Sequence, residues 1–145
     1  MDEESTEKEL LNVIWKNAHI AMQAISDVAP ETENEEMKRE LADEYEGYEK
    51  FVSSIHSYMK ERGIEPKDVN FMKKAMMTMG IKMNSMRDDS RSHIAEMMIK
   101  GTVMGVTELG ELLSSNRQAS EEVLNFAREL KSIEEEYEER LKKLL

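Results

Sequence analysis

Ile25-Ser26-Asp27-Val28-Ala29-Pro30-Glu31-Thr32-Glu33-Asn34-Glu35-Glu36-Met37-Lys38-Arg39-Glu40-Leu41 holds the end of one helix, a stop, and the start of another. Pro30 pushes the residue before it out of the helical region, so a helix arriving from the N-terminal side ends at Ala29. Thr32, with Glu35 three residues on, matches a capping box and is the expected N-cap of the next helix. A connection this short leaves the two helices no arrangement but an antiparallel hairpin.

Upstream, Leu11, Ile14, Ala18, Ala21, Ile25 and Val28 recur every three or four residues, which predicts one apolar face on a helix over about 5–29. Downstream, Met37, Leu41, Tyr45, Tyr48, Val52, Ile55 and Met59 make the stripe of a helix over 32–62, and Gly63 is its natural stop. A third segment, 67–87, presents Met72, Met76, Met79, Met83 and Met86 on one face. Asp88-Asp89-Ser90 then breaks the pattern and offers N-caps. Helices over 91–113 and 119–144, joined at Ser114-Ser115-Asn116, form a second hairpin. The last carries Val123, Phe126, Leu130, Ile133, Tyr137, Leu141 and Leu144 inward, with Glu134-Glu135-Glu136 and Glu138-Glu139 read as largely solvated.

The fold class is therefore all-α: a single domain over 1–145, a ferritin-like four-helix bundle of two antiparallel hairpins with an additional crossover helix. A twenty-residue helix is about 30 Å long, enough to carry the chain from one end of a bundle to the other. The competing arrangement makes 67–113 one continuous projecting helix.

Composition agrees with long helices. Of 145 residues, 35% are charged, while Pro and Gly number only two and six. A chain of this length buries roughly 70% of its unfolded surface, so it needs no covalent staples. It has no Cys, hence no disulfide and no thiolate chemistry. The net charge of -11 repels phosphate backbones and anionic headgroups, which argues against nucleic-acid and membrane partners. An acidic opening, Met1-Asp2-Glu3-Glu4, and the lack of any long apolar run point to a cytoplasmic protein.

Ser92-His93-Ile94-Ala95-Glu96-Met97-Met98-Ile99-Lys100-Gly101-Thr102-Val103-Met104-Gly105-Val106, with Gly80-Ile81-Lys82-Met83-Asn84 upstream, resembles an uncharacterised family of small helical proteins from anaerobic bacteria that is regarded as ferritin-like. The resemblance spans most of 7–145. It implies the fold and carries no activity with it.

A ferritin-type dinuclear centre takes two glutamates and two Glu-x-x-His pairs. No Glu-x-x-His occurs in this chain; the nearest feature is the reversed pair His93 and Glu96. A looser metal site survives a level count. At 1.5 Å per residue, His19 and Glu44 lie at similar depth, about 16 Å from the Pro30 turn, and Glu134 reaches the same level. In the crossover topology His93 and Glu96 enter somewhat higher. His19, Glu44, His93 and Glu96 are accordingly the candidate metal ligands, for iron or another divalent metal. The plain alternative sets Glu96 in a surface pair with Lys100, Glu134 on a solvated face and His19 at a core boundary beside Trp15. His56 has no assigned role.

Thirteen methionines are unusual. The stripe on 67–87 fits core packing, a soft Cu(I) surface, or an adaptable groove for another helix. Gly101 and Gly105, four apart, suggest close helix contact. No phosphate loop, nucleophile elbow, zincin motif or calcium loop is present, and no catalytic or cofactor-binding residue is assigned. The leading expectation is a non-enzymatic bundle without cofactor, acting by self-association or on a protein partner. The alternative is a degenerate ferritin-like metal-binding protein.

Overall fold

A computed structural model describes residues 3–66 and 90–145, with side chains from Glu7 onward in the first helix. It contains four long helices: α1 (Glu3–Val28), α2 (Glu35–Glu61), α3 (Arg91–Ser115) and α4 (Glu121–Lys142). No strand occurs among the described residues, and no helix among them is long and apolar enough to cross a membrane. The predicted helix 67–87 and its five methionines lie outside the described residues.

The turns follow from local chemistry. After Val28 the chain makes a 3-10 turn over Ala29–Glu31 with Pro30 near its start, where a missing N–H costs nothing. That turn delays the next helix, so the N-cap is Asn34 rather than Thr32. Asn34 Oδ1 accepts from the Met37 N–H at 2.9 Å, while the buried Thr32 hydroxyl accepts from the Asn34 N–H at 3.2 Å.

At the far end of α2, Gly63 adopts φ 68°, the left-handed conformation that favours glycine. Its N–H bonds to Lys60 C=O and that of Ile64 to Met59 C=O, the paired bonds of a Schellman stop. Ser90 is extended, and its hydroxyl accepts from the His93 N–H. The helix α3 thus begins after Ser90, which excludes a continuous helix through 67–113.

Contacts at the helix ends set the directions. Tyr58, late in α2, and Ser120, the N-cap of α4, both hydrogen-bond Glu7 at the start of α1. Arg140, late in α4, pairs with Glu40 and Asp43 in the first half of α2. Arg91 opens α3 and reaches Glu36 at the start of α2 at 3.1 Å. Each hairpin is therefore antiparallel, α1 runs with α4, and α2 runs with α3. The helix α1 contacts all three others, and α2 and α3 both lie against α4.

The core is a single cluster drawn from every helix, including Leu11, Ile14, Met37, Leu41, Ile55, Ile94, Leu109, Leu130 and Leu141, each fully buried. Burying each such side chain contributes about 1.5–3 kcal/mol. Two corrections to the sequence reading concern charge. On α4 the buried positions run Val123, Ala127, Leu130, Glu134, Tyr137, Leu141, so Glu134 is inside, 1% exposed, while Glu135 and Glu136 are solvated as expected. On α2 the inward position is Glu44, also 1% exposed, and Tyr45 is only half-buried. Helical register places these carboxylates at core positions regardless of their chemistry.

Candidate functional site

All four helices contribute to one cavity of about 140 Å³. The first helix supplies Asn17, Ile20, Ala21, Ala24 and Ile25. The third supplies Met97, Met98, Gly101, Thr102, Met104, Gly105 and Glu108, and Glu44, Tyr48 and Glu134 come from α2 and α4. Exposure orders the lining by depth. Met104 is 44% exposed at the rim, whereas Glu44, Tyr48 and Glu134 lie at its base.

Small residues make the space. A Cβ added at Gly101 would meet nothing within 4 Å, so this glycine borders the cavity rather than a neighbouring backbone. At Gly105 the close contact is real but falls on a side chain: an added Cβ would sit 2.6 Å from Glu134 Oε1. The close helix contact expected of the glycine pair holds at one member and gives way to open volume at the other.

The polar base is held by a network. Tyr48 donates to Glu134 Oε2 at 3.4 Å, a long bond, and packs edge-on to Tyr137 at 5.3 Å between ring centroids. Asn17 donates through Nδ2 to Glu108 Oε1 at 2.9 Å and to Gly105 C=O at 3.2 Å, which orients its amide. Two buried oxygens at the base have no partner: Asn17 Oδ1 and Glu134 Oε1. Glu44 Oε2 also accepts from no N–H or O–H donor, but its carboxyl lies beside Glu40, one turn earlier. A hydrogen bond between the two carboxyls fits this pairing, and Arg140 pairs with Glu40 at 3.1 Å.

Burial decides the protonation of this base. It pushes the Glu44 carboxyl up to about 10, helped by the hydrogen bond and charge of Glu40 and by Asp43, and opposed by Arg140. Glu134 is raised well above its ordinary value, again by burial first, with the Tyr48 hydrogen bond opposing and the Glu108 charge adding. Both shifts favour the neutral acid. Two buried carboxyls, a phenol and an amide under apolar walls can bind and orient a polar group; a nucleophile with an activating base is not among them.

Of the four metal candidates, Glu44 alone lines the cavity. His19 is half-buried with its ring 4.0 Å from that of Trp15, and its pKa is lowered by burial and then by the charge of His56. His93 sits in the first turn of α3, and Glu96 is exposed and pairs with Lys100 at 3.2 Å. Among the described residues no three His, Asp or Glu side chains gather as a metal-binding group.

The sequence reading missed Asn17, Tyr48 and Glu108 as site residues, and brought Glu134 to the right level without making it a candidate. For Glu134 the signal was its place in the repeat 123, 127, 130, 134, 137, 141; Asn17 and Glu108 become partners only across 91 residues of chain. No protein-family model matches the chain, and no curated protein matches it.

Proposed function

We propose that this protein is a ligand-binding bundle of the ferritin-like type, with one long crossover between α2 and α3, and that it holds a small organic molecule in the cavity against α1 and α3. The observation that carries the reading is a cavity of about 140 Å³ with apolar walls, whose base bears buried polar atoms lacking partners. A cavity of comparable size, about 150 Å³, is enough for benzene. Apolar lining with a few convergent polar groups is the usual form of a small-molecule site. The parallel course of α2 and α3 supports the ferritin-like arrangement.

The test uses protein labelled at its methionine methyl groups and titrated with small organic probes. Saturable shifts at Met97, Met98 and Met104, with Met37 and Met59 unmoved, are expected. Gly101→Leu, which fills the cavity, should abolish them. A full probe series that leaves all three methyls unshifted overturns the reading.

A second reading, self-association or binding to a protein partner through α3, draws on Val103 and Met104, which are 40% and 44% exposed. Apolar side chains on an exposed helix face favour contact with another apolar surface. Sedimentation velocity on the parent and on Val103→Glu/Met104→Glu checks it: a concentration-dependent dimer lost in the variant supports it, and a monomer in both removes it.

A further inference from the structure

The ligand class follows from a count of donors. Among the described residues lining the cavity, Asn17 spends both N–H groups of its amide on Glu108 Oε1 and Gly105 C=O. The Thr102 hydroxyl donates to Met98 C=O at 2.8 Å, and the Tyr48 hydroxyl donates to Glu134 Oε2 at 3.4 Å. The Glu44 carboxyl is engaged with Glu40. One donor is left. Burial favours the protonated form of Glu134, opposed by the Tyr48 bond and aided by the Glu108 charge. Because Oε2 accepts from Tyr48, the proton of the neutral acid sits on Oε1, an atom without a partner in a residue 1% exposed. A buried donor with no acceptor is unfavourable, and a ligand atom that accepts it relieves the penalty.

We propose that the cavity binds a small neutral organic molecule of about six non-hydrogen atoms through one acceptor oxygen on the Glu134 carboxyl proton, its hydrocarbon against Ile20, Ala21, Ala24, Met97 and Met104. This rests on the reading of the cavity as a ligand site. Asn17 Oδ1, the other unpartnered oxygen at the base, is an acceptor and takes no part in that bond.

The charges of the lining favour a neutral occupant. It holds three carboxyls, Glu44, Glu108 and Glu134, and no Lys, Arg or His among the described residues, so an anion meets no counter-charge. A cation is drawn to Glu108, which is half-buried and already takes Asn17 Nδ2 at 2.9 Å. Bound there, it leaves the Glu134 proton unmet.

The experiment titrates the whole chain with cyclopentanone, cyclopentane, cyclopentylamine and pentanoate, followed at the methionine methyls, and records the infrared band of cyclopentanone isotope-labelled at its carbonyl carbon. Expected are saturable binding of cyclopentanone and cyclopentane, with cyclopentylamine and pentanoate at least about tenfold weaker than the ketone. The bound carbonyl should absorb at lower frequency than the same ketone dissolved in cyclopentane. Glu134→Gln, which sets an amide N–H in place of the acid proton, should keep the ketone and its shifted band. Glu134→Met/Tyr48→Phe replaces both hydrogen-bond partners by apolar side chains. It should bind the ketone about tenfold more weakly, return the band to its position in hydrocarbon, and keep cyclopentane, which also shows that the variant folds. Unchanged ketone affinity and band in that variant overturn the assignment and leave the cavity reading standing. Cyclopentylamine bound tighter than the ketone overturns it in favour of a cation on Glu108. Failure of every probe overturns both.

Discussion

Glu134 on α4 lies so close to Gly105 on α3 that a methyl group at residue 105 would come within 2.6 Å of Glu134 Oε1. One turn earlier, Gly101 has nothing within 4 Å of the same position. Gly105→Ala must turn the Glu134 carboxyl into the cavity and off the Tyr48 hydroxyl, leaving that buried group unpaired, and should lower stability by about 1–3 kcal/mol. Gly101→Ala should raise it by about 1 kcal/mol through helix propensity. Urea unfolding of the two variants should give midpoints on opposite sides of the parent's.

Stability should fall as pH rises. An acid whose folded pKa is raised binds more protons folded than unfolded, so the slope of unfolding free energy against pH is negative. The window opens near the ordinary carboxyl value of 4.5 and, for Glu44, extends to about 10. Melting at pH 5.5 should exceed that at pH 8.5. Glu44→Gln and Glu134→Gln should each flatten the slope and add about 1–3 kcal/mol at pH 8.5. The glutamine variants separate this effect from relief of the surface repulsion of a chain at -11.

Gly47 on α2 takes the Tyr137 hydroxyl against its backbone, where a Cβ would overlap it. Gly47→Ala should cost about 1–3 kcal/mol by overpacking. In a double-mutant cycle with Tyr137→Phe, which removes the overlapping oxygen, part of that loss should return. Additive losses would show that the hydroxyl is not the obstacle.

The start of α2 depends on one side chain. Asn34→Ala removes the acceptor of the Met37 N–H and should cost about 1 kcal/mol, while Asn34→Asp should be nearly neutral. Thermal unfolding of the pair measures it; equal loss in both would reassign the cap.

The sequence by itself determined the helical character of the four described helices and where α1 and α2 stop. Period-3.6 apolar stripes, Pro30, Gly63 and the Ser90 cap act within a few residues, so their effects are local and legible. The antiparallel hairpin at Pro30 follows from loop length alone. Only tertiary structure decided where the polar groups went. Glu134 shares the register of Leu130 and Tyr137, but the hydroxyl that meets its carboxyl, Tyr48, comes from a helix 86 residues away. Level counting placed His19 beside Glu44 in height but could not give azimuth, and His19 faces Trp15 and His56. The cavity likewise brings together Gly101 on α3 and Ala21 and Ala24 on α1. Volume left between helices depends on which small residues meet, and that meeting is a property of the assembled bundle.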